Sequence, residues 1–243
     1  AIKDLSPDAK VQAGIVYEDY VPQRIHSITV NAHIQQEAPA DGKKLSRRIH
    51  ERVIEPVLAP LALTVEPNTR ITVNPEGFYQ GGPVHHSGLT GRKNAIDTYG
   101  EFSRHSGKAL SGKDPQRIDR CGAYAARHAA KNMVAAGLAE RCELMLSYSI
   151  GRSEPVSVTL ESFGTGLLPD EVLLKLVRRH FDFHLGSIID DFDLCHLPAK
   201  RPDGFYQKLA SYGHFGRESL DLPWERLDRF DLLKAAAKGY GIV

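Results

Sequence analysis

The spacing of hydrophobic positions changes several times along the chain, and each change predicts an element. Residues 11–17 (VQAGIVY) read as a strand. Residues 25–35 alternate, with Ile28, Val30, Ala32 and Ile34 on one face and Ser27, Thr29 and Asn31 on the other, the period of a half-buried strand. The turn-like stretch Glu18–Pro22 between them predicts a hairpin with a longer loop. From Lys44 to Leu58, Leu45, Ile49, Val53 and Val57 recur every fourth residue, a helical stripe followed by Pro60. Residues 69–73 (TRITV) predict a short strand closed by Asn74-Pro75. An alanine-rich helix is expected over 119–136, with a small-residue face at Ala126, Ala130, Met133 and Gly137. A strand over 142–150 follows, with Cys142, Leu144, Leu146, Tyr148 and Ile150 on one side, then a strand over 156–163. A helix over 169–181 opens at Pro169 and carries the stripe Val172, Leu173, Leu176, Val177, Phe181. The last fifty residues are turn-rich, with aromatics at Tyr206, Tyr212, Phe215 and Trp224. The order strand, strand, helix, strand, then strand, strand, helix predicts an α+β fold that uses one kind of unit twice.

Composition narrows the function classes. The 243 residues are 42% hydrophobic and 25% charged, values of an ordinary globular chain. A net charge of +1 argues against a nucleic-acid partner or an anionic membrane over the whole surface, without excluding a local anion site. No apolar run reaches the ~20 residues of a membrane helix, and the N-terminus shows no apolar signal core. The three cysteines, Cys121, Cys142 and Cys195, have no metal-like spacing and read as reduced thiols of a cytoplasmic chain.

Residues 76–119 break the periodic pattern. They are rich in glycine, His, Lys, Arg and Asp and poor in large aliphatics. So long a stretch without regular structure is either functional or loose. Arg92-Lys93 follow a glycine turn, Lys113 sits in Ser-Gly-Lys-Asp, and Arg117 and Asp119 stand at the start of the alanine-rich helix. Glycine allows close backbone approach, the cations and helix start suit an anion, and a carboxylate among them can hold Mg²⁺ against phosphate oxygens. Composition leaves a polyphosphate site and a flexible surface loop as even alternatives, and no Walker spacing is present. His85, His86 and His105 lack the further Cys or Glu that would complete a metal set. Arg127 and Lys131 read as a solvated helix face, Trp224 and Tyr212 as packing, and Cys121 as a small buried residue.

The segments GLTGRK (88–93), DTYG (97–100), SGKDP (111–115) and GAYAARHAAKNMVAAGLAERCE (122–143) resemble S-adenosylmethionine synthetases. So do PDAK (7–10), expected just before a strand, YSIGRSEPVSVTLESFGTG (148–166), YGHFGR (212–217) and LPWE (222–225). The resemblance covers nearly the whole chain in order. It implies an activity in which methionine sulfur attacks C5′ of ATP and tripolyphosphate leaves, to be hydrolysed to pyrophosphate and phosphate. It implies two Mg²⁺ ions and K⁺ as cofactors. By the same resemblance Lys10, Arg92, Lys93 and Lys113 are catalytic residues on the phosphates. Asp8, Phe78 and Arg117 bind ATP, with Asp8 near adenosine and Phe78 on adenine. Arg117 replaces a lysine, and Asp119 binds Mg²⁺.

The departures are as specific. His86 stands where the family has an aspartate near the substrates, Glu101 replaces a glycine and Lys108 adds a cation. No His-Pro-Asp-Lys occurs in the 243 residues, so the chain resembles about the second two-thirds of the family's length. It would hold about two of the family's three pseudo-threefold sheet-plus-helix units: residues 1–80, a bridging phosphate segment 81–120, and residues 121–243. The expectation is one subunit of a hetero-oligomer. A second subunit would carry the missing histidine, metal aspartate, potassium-binding glutamate and methionine-binding residues. The alternative is a non-catalytic partner that stabilises or regulates a synthetase, and a self-sufficient polyphosphate hydrolase is the third reading.

Overall fold

The computed structural model describes residues 2–35, 41–82, 84–85, 95–100, 102–104, 109–201 and 203–241. The chain divides into two compact units, Ala1–Gly88 and Leu89–Val243.

In the first unit, β1 (Leu5–Glu18) and β2 (Val21–Ile34) form an antiparallel hairpin. The connection is tighter than the sequence suggested. Asp19 and Tyr20 alone make the turn, at φ 48° and 65°, the paired left-handed conformation whose twist matches the flanking strands. The Pro7–Lys10 segment lies inside β1 rather than before it. A register shift interrupts the ladder between Leu5 and Ala9. On β2, Ile28, Val30, Ala32 and Ile34 are all buried, as the alternation predicted. The chain then crosses over a helix and returns as β3 (Thr64–Val73), parallel to β2, giving the order β1-β2-β3.

The crossover is α1 (Gly42–Ile49), a π-helical turn over His50–Ile54, and α2 (Glu55–Leu58). Leu45 and Ile49 are buried as expected, but Val53 and Val57 are exposed and Ile54 takes the next core position. A π turn adds one residue to the repeat, so the core stripe steps by five after Ile49. Ile54→Ala is therefore expected to lower unfolding stability by about 2–4 kcal/mol, and Val53→Ala by under about 0.5 kcal/mol. Urea melts that ranked them the other way would refute this phase shift.

The second unit is built around α3 (Ile118–Ala135). β4 (Glu143–Ser147) and β5 (Ser157–Glu161) pair antiparallel, and α4 (Asp170–His180) packs Leu173, Leu176 and Val177 into the core. The turn-rich tail forms α5 (Leu185–Asp191), α6 (Leu197–Lys200), α7 (Phe205–Leu209) and α8 (Phe230–Lys238). Helices this short do not hold by propensity, and they are held here by a shared aromatic core. Its centre is Tyr124 stacked on fully buried Trp224, ring centroids 3.6 Å apart. Three expectations need correction. Ile150 lies beyond the end of β4 and is fully exposed, as is most of Tyr212. The buried face of α3 runs through Cys121, Ala125, His128, Ala129, Asn132 and Met133, with Ala126 and Ala130 only half-buried. Among the described residues no helix is long and apolar enough to cross a membrane.

Candidate functional site

The Ser-Gly-Lys-Asp loop of the second unit is shaped from beneath. Asp97 is 2% exposed, and one carboxylate oxygen accepts from the backbone N–H groups of Leu110 and Ser111, both at 2.7 Å. The other accepts from the Ser111 hydroxyl at 3.0 Å. Gly112 follows at φ 78°, a conformation that reverses the chain and that a side chain would strain. On the far side of the turn, Arg120 Nη1 donates to the Lys113 carbonyl at 2.6 Å. Both ends of the loop are thus tied to buried side chains, and Lys113 projects from a fixed base.

Behind the loop lies a relay whose proton order can be worked out. Ser111 Oγ has one hydrogen, which goes to Asp97. The fully buried His214 must then donate from Nε2 to Ser111 Oγ, at 2.9 Å. Its Nδ1 is left to accept from the Tyr124 hydroxyl at 2.8 Å, and that oxygen accepts from Arg120 Nε at 2.8 Å. The chain of donors runs Arg120, Tyr124, His214, Ser111, Asp97, and it uses a neutral imidazole. Burial pushes His214 down to about 4, against the opposing pull of Asp97, and burial pushes Tyr124 up to about 12. The C-terminal segment locks the ring in place. Trp224 Nε1 donates to the His214 carbonyl at 2.8 Å, and the His214 N–H donates to the Asp97 carbonyl at 2.8 Å. Gly213, at φ 82°, is equally constrained, because a Cβ there would meet the Ile96 carbonyl at 2.7 Å.

A histidine held below its unfolded value contributes stability above about pH 6.5. That contribution is lost as pH falls toward about 4, because the unfolded chain takes up the proton first. The loss is on the order of 3 kcal/mol between those limits. His128, also lowered by burial, acts in the same direction. Urea midpoints from pH 7 to pH 4 should therefore fall more steeply for the parent chain than for His214→Asn, and equal slopes would rule out the neutral ring.

Above this scaffold three of the expected site residues come together. Lys113 Nζ lies 3.1 Å from Asp119 Oδ2, and Arg117 Nε lies 3.7 Å from the same oxygen. Lys113 and Asp119 are about four-fifths buried, whereas Arg117 is 65% exposed. Arg117 is the residue before the first turn of α3 and Asp119 sits within that turn, where helix N–H groups favour negative charge. The arrangement offers two cations and one carboxylate at a helix start. No group of three His, Cys, Asp or Glu that could hold a metal exists among the described residues. A single carboxylate fits an Mg²⁺ ion that brings its remaining ligands from a phosphate chain and water, and does not fit a closed protein cage. None of the described residues is assigned to K⁺.

The remaining expected residues lie in the first unit or outside the described residues. Asp8 and Lys10 lie on β1 of the first unit. Asp8 Oδ2 is 3.9 Å from His33 Nε2, and Lys10 pairs across the hairpin with Asn31 on the exposed face. Phe78 is half-buried and packs against the core of the first unit, beside Gly42 at the start of α1. His86, Arg92 and Lys93, with Glu101, His105 and Lys108, fall outside the described residues.

Sequence reasoning passed over the residues that position the loop. Asp97, Arg120 and His214 carry no helical or strand pattern, and only the burial of polar groups exposes their role. Arg127 and Lys131 are not a solvated face. Both are about four-fifths buried and converge on Glu225, itself 7% exposed. Arg127 donates to both Glu225 oxygens at 3.0 Å, Lys131 donates at 2.8 Å, and the Gly216 N–H adds a fourth bond at 2.8 Å. Burial would raise the Glu225 carboxyl, but Arg127, Lys131 and Gly216 hold it below its ordinary value. Cys121 is buried, as read from the sequence, and burial pushes its thiol up to about 11, so it is inert at neutral pH.

Comparison with known proteins gives the family. Residues 1–79 match the family model "S-adenosylmethionine synthetase, central domain", and residues 80–226 match "S-adenosylmethionine synthetase, C-terminal domain". An S-adenosylmethionine synthase of Synechococcus sp. is 50% identical over 242 residues, covering 96% of this chain and 59% of that protein. The synthase of Nostoc punctiforme is 48% identical over 241 residues, with 96% and 57% covered. The solved structure of "an unusual S-adenosylmethionine synthetase from Campylobacter jejuni" superposes with a TM-score of 0.79 at 35% identity, covering 96% of this chain and 60% of that one. The chain thus spans about three-fifths of the length of the relatives it matches. With 147 of its 243 residues under the second family model alone (80 to 226 inclusive), the chain belongs to the S-adenosylmethionine synthetase family, of which it carries the central and C-terminal domains.

Proposed function

We propose that this chain is the triphosphate-holding subunit of a heteromeric methionine adenosyltransferase. A second polypeptide with the His-Pro-Asp-Lys portion completes the site. The observation that carries the reading is the Lys113–Asp119–Arg117 cluster on a loop pinned by Asp97 and Arg120. Thioether sulfur is a neutral nucleophile and needs no general base. What the reaction needs is stabilisation of the negative charge that builds on the departing tripolyphosphate. Fixed cations meet that charge with little reorganisation. In this reading Lys113 Nζ turns from Asp119 to a phosphate oxygen, and Arg117 offers a second cation at the solvent side. Lys10, Arg92 and Lys93 act on the same chain of phosphates, while Asp8 and Phe78 serve adenosine. Mg²⁺ held by Asp119 would neutralise further phosphate charge when bound. K⁺ would be held by the partner, and the assembly would work in the cytoplasm.

The experiment is a mixing assay. The 243-residue chain alone should form no S-adenosylmethionine from ATP and methionine, and adding a polypeptide with the His-Pro-Asp-Lys portion should restore synthesis. Product formation by the chain alone would overturn the need for a second polypeptide. Failure to gain activity with any such partner would favour the non-catalytic, stabilising role, to which the His86 substitution points.

A further inference from the structure

The second unit also contains a cleft of about 450 Å³ that shares no residue with the Lys113 loop. It opens between α3, the C-terminal end of α4, α5 and the segment 223–229. Its floor is aromatic and buried, formed by Phe181, Phe183 and Phe192, and His128 meets Phe181 and Phe192 edge-on at 5.4 Å. Its rim is basic. Arg178 and Arg179 come from α4, and Arg226 and Arg229 come from the far side.

The charges at this rim are unevenly matched. Of its three acids, Asp228 is engaged by His128 at 2.7 Å. Asp182 accepts from the His184 N–H and the Ser187 hydroxyl, which, together with the His184 ring, hold its carboxyl at about 2. Asp191 is the third. Among the described residues, the guanidinium groups of Arg179, Arg226 and Arg229 take part in no hydrogen bond or ion pair, although the backbones of Arg226 and Arg229 bond the Asn132 side chain. The Nε2 atom of His180, at the end of α4, is buried and has no hydrogen-bond partner. A buried ring nitrogen with nothing to bond is rare in a folded protein, and it calls for a missing partner. The bland role of cations in the last turn of a helix, to offset the dipole, accounts for Arg178, Arg179 and His180 but not for Arg226 and Arg229, which converge from another segment.

We propose that this cleft binds a small phosphate-bearing anion, with Arg179 and Arg229 clasping the phosphate and His180 Nε2–H donating to one of its oxygens. A tetrahedral dianion takes donors from several directions at once, which two guanidinium groups and an imidazole from two segments provide. A carboxylate would be saturated by a single guanidinium fork. The aromatic floor leaves room for an apolar or ring-bearing remainder of the ligand. The open ring nitrogen also has a thermodynamic consequence. Burial, Arg179 and Arg229 keep His180 below its ordinary value in the free protein. A bound dianion reverses the sign of that field, so binding should be accompanied by proton uptake at His180. His128, His184 and the three acids face the same space and set the baseline against which His180 titrates.

The test follows histidine ring proton resonances of the whole chain during titration with inorganic phosphate, with His180 assigned through His180→Gln. Potassium chloride at matched ionic strength and acetate are the reference titrants. The His180 resonance should move saturably with phosphate alone, and its apparent pKa should rise by about one unit. Arg179→Gln with Arg229→Gln should weaken the response at least about tenfold, with the thermal melt little changed because Arg179 is exposed and neither guanidinium makes a hydrogen bond or ion pair among the described residues. Unchanged His180 titration in phosphate, equal movement with chloride or acetate, or full binding by the double variant would each overturn the proposal. Phosphate bound at the Lys113 loop would leave the His180 signal where it is, so the two sites are read separately.

Discussion

Alanine at Lys113 is expected to reduce S-adenosylmethionine formation by the assembled enzyme about a hundredfold, the usual cost of removing one donor aimed at developing charge. The charge in question grows as the C5′–oxygen bond of ATP breaks, so the loss should fall on kcat more than on KM. Stability should barely change. Asp119 loses its nearer cation but keeps Arg117 Nε at 3.7 Å, and it sits in the first turn of α3, where helix N–H groups favour negative charge. The loop does not depend on the lysine side chain for its shape, since Asp97 and Arg120 hold its backbone. Lys113→Arg should recover only part of the rate, because a planar fork cannot occupy the space of a compact ammonium. Full turnover in Lys113→Ala would remove this loop from the chemistry.

The largest expected loss of stability is at Glu225→Ala, about 3–5 kcal/mol. Its carboxylate is the meeting point of Arg127, Lys131 and the Gly216 N–H. Removing it strands two cations that are each about one-fifth exposed. For a unit of this size the melting temperature should drop by about 10 °C. The cause can be separated from simple loss of packing. Adding Arg127→Leu and Lys131→Met to Glu225→Ala removes the stranded charges and should restore part of the loss, whereas a packing defect would deepen. A triple variant less stable than the single one would refute the electrostatic account.

The contrast between these residues shows what a sequence makes readable. Periodicity reports one-sided burial of apolar groups, so the alternation of Ile28, Val30, Ala32 and Ile34 and the stripe of α4 translated directly into structure. It also carried α1 as far as Ile49. The π turn then broke the phase, and nothing in the spacing of Val53 and Val57 announced that Ile54 would replace them. The hairpin turn was misjudged because Asp19-Tyr20 contains no glycine, the residue that normally marks two successive left-handed positions. Polar burial left no periodic trace at all. Arg127 and Lys131 look like a solvated face on a helical wheel, and only a carboxylate 94 or 98 residues away makes them interior. Lys113, Arg117 and Asp119 were legible because they are close in sequence and share a helix start. Asp97 and His214, whose Ser111 contacts span 14 and 103 positions, were legible only as letters in motifs.

The double acceptor at Asp97 has one more consequence, in the time domain. Backbone amides of a glycine-rich loop ordinarily trade hydrogen for solvent deuterium within seconds. The amides of Leu110 and Ser111 are fastened to a carboxylate that is 2% exposed. They can exchange only when the surrounding aromatic core opens, so their protection should match that of the interior of α3 and report the opening free energy of the whole second unit.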